Sequence, residues 1–144
     1  MKPVTKTILA GTLILAGTAF AKEGVQDPAV KARMELMGVI AANTKVLGEM
    51  AGGKATFNAQ AAATAKANLA AAAAEIPAKF EPQATDPVSD AKSDIWTNWD
   101  DFLTKSETLL AQAEALDATS LEGVQAGMGG IGGACKACHS VYKN

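Results

Sequence analysis

Residues 121–139, Leu121-Glu122-Gly123-Val124-Gln125-Ala126-Gly127-Met128-Gly129-Gly130-Ile131-Gly132-Gly133-Ala134-Cys135-Lys136-Ala137-Cys138-His139, decide how this chain is built. Leu121, Val124, Met128, Ile131, Cys135 and Cys138 recur at spacings of three and four, the period of an amphipathic helix. On a helix the two thiols and the neighbouring imidazole share one face. Cys-x-x-Cys-His is the attachment sequence for c-type haem. Cys135 and Cys138 can bond the two vinyl groups of one porphyrin, and His139 can meet the iron as its proximal ligand. The chain holds 2 cysteines and 1 histidine, and all three stand here. A thioredoxin-like dithiol would belong beside a βαβ pattern, which is absent from the sequence. A structural zinc site takes four ligands, and this cluster supplies three.

Three further helices are readable upstream. The composition is rich in alanine and poor in β-branched and aromatic residues, which favours helix. Asp27-Pro28 reads as an N-cap followed by proline at the first helical position. Val30, Met34, Met37, Ala41, Thr44 and Gly48 follow as an apolar stripe, ending near Gly52-Gly53. The second segment opens at Asn58 and carries Ala62, Ala65, Leu69, Ala72 and Ile76, with Pro77 as its stop. A loop with Pro82 and Pro87 follows, and Phe80 is expected to plug the core. The third segment starts between Asp90 and Asp94, with Ile95, Trp99, Phe102, Ser106, Leu109, Ala113 and Leu116 as its stripe. The fourth begins at Thr119-Ser120-Leu121-Glu122, which fits a capping box. Its glycines, Gly123, Gly127, Gly129, Gly130, Gly132 and Gly133, mark either a tolerated weak helix or a close approach to porphyrin or to a neighbouring helix. This helix is expected to be poorly formed before haem is attached. Four such helices in one small domain predict an all-α fold, an antiparallel four-helix bundle with one covalently bound haem.

The N-terminus reads as a signal peptide over residues 1–21, leaving a bundle domain over 22–144. Lys2 and Lys6 form a positive n-region, Ile8–Ala16 is apolar, and Ala19-Phe20-Ala21 is a cleavage site. The apolar run is shorter than the roughly 20 residues a spanning helix needs, so no membrane attachment is expected after cleavage. Removing Lys2 and Lys6 from the 13 basic side chains leaves 11 against 15 acidic ones, a formal charge of −4. That balance argues against nucleic acid and anionic membranes as partners.

The chain resembles the class II c-type cytochromes, the cytochrome c′ family. The likeness rests on Ala32-Arg33-Met34, Val46-Leu47-Gly48-Glu49-Met50-Ala51-Gly52, Asp94-Ile95-Trp96, and the C-terminal Cys135-Lys136-Ala137-Cys138-His139 with Tyr142-Lys143. It departs in its glycine-rich last helix and in Met34, where glutamine is frequent. The resemblance implies haem c as cofactor and export to the periplasm, where such haem is attached. It implies that Arg33 and Met34 lie along the haem edge, with Arg33 near a propionate. Asp90 and Lys92 are implied near the propionates, and Lys143 beside the proximal histidine. Trp96 and Trp99 read as core and interface, and Tyr142 as a cover for the proximal side.

Met37 matches the family's distal position, facing the iron opposite His139. Methionine ligation there fills both axial sites and suits single-electron transfer with periplasmic redox partner proteins. The alternative is a five-coordinate, high-spin cytochrome c′ that binds nitric oxide or carbon monoxide. Generic methionines are gap-fillers, so a core role for Met37 is the plain alternative on spacing alone. An enzyme such as a peroxidase is a poor reading, because no second histidine can serve as distal acid or base. Family members often form homodimers through helices one and two, so the resemblance leaves a homodimer open.

Overall fold

The computed structural model describes residues 24–144. The signal peptide expected over residues 1–21 lies outside them. Four long helices and two short ones follow one another: α1 Pro28–Ala51, α2 Ala59–Ala74, α3 Ile76–Phe80, α4 Asp94–Thr97, α5 Trp99–Ala115 and α6 Leu121–Tyr142. The described residues contain no strand, only one isolated antiparallel bridge between Ala91 and Lys143. Packing runs chiefly α1 on α2, α2 on α5, α5 on α6 and α6 back on α1, which closes a four-sided bundle. No helix of the described residues is long and apolar enough to cross a membrane.

Local chemistry sets most helix ends where the sequence places them. The Asp27 carboxylate accepts from the Ala29 and Val30 amides and caps α1. Asn58 accepts from the Ala61 amide and caps α2. At the end of α1 the Gly53 amide donates to Met50 O (3.1 Å) and the Lys54 amide to Glu49 O (2.8 Å), the paired bonds of a Schellman stop. Gly53 takes φ +71°, a conformation that favours glycine.

Three expected boundaries differ. Pro77 opens α3 instead of closing α2, which stops at Ala74; proline fits the first turn of a helix because its missing N–H has no partner to lose there. The third segment breaks at Asn98, whose backbone leaves the helical region (φ −124°, ψ 45°) between α4 and α5. The capping box at Thr119–Glu122 does not form. Ser120 caps α6 through the Gly123 amide, one residue later than expected. Thr119 instead gives its amide and hydroxyl to Asp117 Oδ1.

Leu47, Leu69, Ile95, Leu116, Ile131, Val30 and Val124 are the largest fully buried side chains. The stripes expected for α2 and for α4–α5 are buried as read, Trp99 being half-buried, and Phe80 does plug the core. The α1 stripe is different. Its core residues are Leu36, Ile40, Leu47 and Met50, whereas Met34, Met37, Ala41, Thr44 and Gly48 face a cavity between the helices.

The glycines of α6 divide into two sets. A Cβ on Gly123 would sit 2.6 Å from the Asp117 carbonyl oxygen, and one on Gly127 would press on Leu116. At Gly132 and Gly133 it would meet nothing within 4 Å. Gly132→Ala and Gly133→Ala are therefore expected to stabilise the fold by about 0.5–1 kcal/mol each. Gly123→Ala is expected to destabilise it by about 1–3 kcal/mol, the cost of overpacking. Thermal unfolding of the three variants reads both signs.

Candidate functional site: a cavity walled by the haem-attachment motif

A cavity of about 960 Å³ opens between α1, α5 and α6. That is at the upper end of the roughly 300–1,000 Å³ typical of small-molecule sites. Cys135, Cys138 and His139 line it from α6, and Arg33, Met34, Met37, Ala41 and Thr44 from α1. Ile76, Phe80, Ile95, Phe102 and Leu109 complete an apolar wall, and Asp90 and Lys143 also line it. Both cysteines are free and half-buried, and burial pushes both thiols above their ordinary pKa. His139 lies at the cavity rim, exposed as a residue, and partial desolvation of its ring on the cavity side, then nearby Lys143, hold its pKa below the ordinary value.

Arg33, Met34, Met37 and Asp90 all line the cavity. Lys92 does not. Its side chain does not line the wall, and its part is a main-chain one: its amide donates to Tyr142 O at 3.0 Å. Lys143 lies 3.4 Å from Asp90 Oδ2, and the Asn144 amide donates to Asp90 O at 2.8 Å.

Arg33 is only 2% exposed. Burial lowers its pKa and the Asp27 charge partly offsets this, but a guanidinium stays charged at any working pH. It is caged between the Phe80 and Trp96 rings, 5.4 and 5.2 Å from their centroids. Nη2 donates to Ala84 O at 2.6 Å, while Nε and Nη1 are buried with no hydrogen-bond partner among the described residues. A buried cation with two orphaned donors on a cavity wall calls for an anion. An apolar cavity, two thiols, an imidazole and this cation together fit a haem, whose propionates are the anions. The residues present therefore suit the group.

The cage was not legible in advance. Phe80 comes from α3, Trp96 from α4 and Ala84 from the loop between them. Trp96 is held by its indole N–H, which donates to Phe80 O at 2.8 Å. Trp99 stacks on Phe102 at 5.4 Å, and both tryptophans pack against the core.

Tyr142, the only tyrosine of the chain, is 3% exposed and lines the cavity. Its hydroxyl donates to Asp101 Oδ2 at 2.5 Å. Burial, then the Asp101 hydrogen bond and charge, push its pKa up to about 12. In the unfolded chain it titrates at about 10. The contribution of Tyr142 to stability is thus complete below pH 10 and is lost as pH rises from 10 through 12. Difference absorbance of tyrosinate should stay flat at pH 10 in the folded protein and rise only near 12.

The family model described as Cytochrome C' matches residues 28–143. Cytochrome c-556 of Agrobacterium tumefaciens is 36% identical over 117 residues, covering 78% of this chain and 91% of its own. The solved cytochrome c prime of Shewanella frigidimarina superposes with a TM-score of 0.74 at 30% identity, over 81% of this chain and 94% of that one. A variant of cytochrome c prime from Alcaligenes xylosoxidans, solved as its nitric oxide complex, superposes with a TM-score of 0.68 at 29% identity over 81% and 94%. The bundle, the cavity and these likenesses agree: this chain belongs to the cytochrome c′ family, is a c-type cytochrome, and takes haem c as its cofactor.

Proposed function

We propose that this chain is an exported, periplasmic single-electron carrier whose one haem is bonded through Cys135 and Cys138 and ligated by His139 and Met37. The observation that carries the reading is Met37 on the cavity wall formed by α1, in a cavity whose α6 wall presents His139. Two axial ligands leave no open coordination position, which suits electron transfer over ligand capture, and a methionine ligand raises the reduction potential. The haem supplies the redox change when bound. The chain would supply the two thioether sulfurs, His139 and Met37 as iron ligands, the apolar wall that excludes water, and Arg33 as counter-charge to a propionate. Met34 and Asp90 stand at the haem edge in this reading. No enzymatic activity is proposed.

The second reading is a five-coordinate gas binder. It is favoured by the relative solved with nitric oxide and by the apolar wall, which would admit small uncharged gases. The visible spectrum separates the two. A sharp, split α-band on reduction that ignores carbon monoxide supports His139 and Met37 together. A broad band that shifts with carbon monoxide overturns Met37 ligation and leaves the gas binder.

A further inference from the structure

His139 stands in the last turn of α6, three residues before its end at Tyr142. A terminal turn is a poor place for a metal ligand. Its last carbonyls lack intrahelical partners, and such turns fray at little cost. A ligand on a fraying turn would swing off the metal unless other elements hold the turn.

Here α5 holds it. The Tyr142 ring lies edge-on to Phe102 at 5.4 Å. Its hydroxyl donates to Asp101 Oδ2 at 2.5 Å and lies 3.3 Å from Asn98 O. Asp101 in turn pairs with Lys105 at 3.4 Å, one turn further along α5. A second set of contacts follows beyond the helix: the bonds from Lys92 N to Tyr142 O and from Asn144 N to Asp90 O, and the Lys143–Asp90 pair. That pair is about half exposed on both sides, and exposed pairs contribute little. The Tyr142 hydroxyl differs, since its residue is buried and its acceptor is charged, which makes a short, strong hydrogen bond.

We infer that Asp101, acting through the Tyr142 hydroxyl, is a positioning residue that keeps the His139 imidazole on the iron. The inference builds on His139 as proximal ligand. Tyr142 shares the cavity wall with His139 one turn away, so the bond pins the turn beneath the ligand. Asp101 does not line the cavity and works through the turn it anchors.

The test uses the haem-loaded, reduced protein and nitric oxide as probe, because nitric oxide weakens the bond opposite to it. The rate at which the imidazole leaves is read from the change to a five-coordinate nitrosyl spectrum. Tyr142→Phe keeps the ring and removes only the hydroxyl; Asp101→Asn keeps the shape and weakens the acceptor. Both should speed imidazole release about threefold or more, the scale of one partly exposed charged hydrogen bond. Release at the parent's rate in both variants overturns the inference, even if their melting temperatures fall, because a purely structural bond would move only the latter. His139→Ala separates the two levels of the reading. If its spectrum matches the parent's, His139 is no ligand and the underlying reading fails; if it differs while Tyr142→Phe and Asp101→Asn behave as the parent, only the positioning role fails.

Discussion

Replacing Cys135 and Cys138 together by alanine should leave no haem on the chain after denaturation in acid and organic solvent. The parent should keep all of its colour under the same treatment, and its mass should exceed that of the mature polypeptide by one haem. The two thiols are the only ones in the chain, so no third cysteine can rescue attachment. The consequence extends to the fold. Among the described residues, the cavity separates α1 from α5 and α6 at this end, and Arg33 keeps two buried donors without partners. Covalent attachment keeps the group that fills this space from dissociating. The doubly substituted chain should melt at a lower temperature and over a broader range, as domains that lose a tightly held cofactor do. Mass spectrometry of the denatured protein is the deciding measurement. Haem that stays on the double variant, or that washes off the parent, would overturn the attachment reading.

Met37→Ala should convert the haem from six-coordinate and low-spin to five-coordinate and high-spin. On the proposed ligation by His139 and Met37, loss of the sulfur would open a coordination position, so the reduction potential should fall and carbon monoxide should bind without displacing a ligand. If the iron–sulfur bond keeps the open form near 1%, apparent affinity rises on the order of a hundredfold. The half-buried Met37 packs against the core, so some loss of stability should accompany the change. The spectroscopic change is the informative one, because a packing methionine would lower the melting point and leave the α-band as it was. Met34 lines the same wall three residues earlier, and Met34→Ala should leave the coordination unchanged. A parent-like spectrum in Met37→Ala, with a changed one in Met34→Ala, would move the ligand to Met34.

The largest difference between the sequence reading and the structure, in α1, has a simple physical source. In α1 the stripe Val30, Met34, Met37, Ala41, Thr44, Gly48 is periodic and lines the cavity, with Val30 fully buried, and a second buried row of Leu36, Ile40, Leu47 and Met50 runs beside it. Both are apolar, because a cavity for a porphyrin and a protein core ask for the same side chains. Periodicity finds an apolar face but does not say what covers it. In α2, where Ala62, Ala65, Leu69 and Ala72 are buried against other helices, the reading was right at each position, and in α5 Phe102, Ser106 and Leu109 are buried and line the cavity as well. The boundary errors are of another kind. At Ser120 the choice between two adjacent caps was settled by Asp117, which takes Thr119 for itself.

The sequence by itself determined the four long helices, the caps at Asp27 and Asn58, and the placement of Cys135, Cys138 and His139 on one helical face. These follow from contacts within four residues, which one chain segment contains in full. Only the tertiary structure decided which face of α1 looks into the cavity. It also decided that Arg33 is caged by Phe80, Trp96 and Ala84, that Lys92 acts through its backbone, and that Asp101 reaches Tyr142 across 41 residues. Each of these joins groups far apart in the chain, and their meeting depends on how four helices pack, which no local pattern encodes.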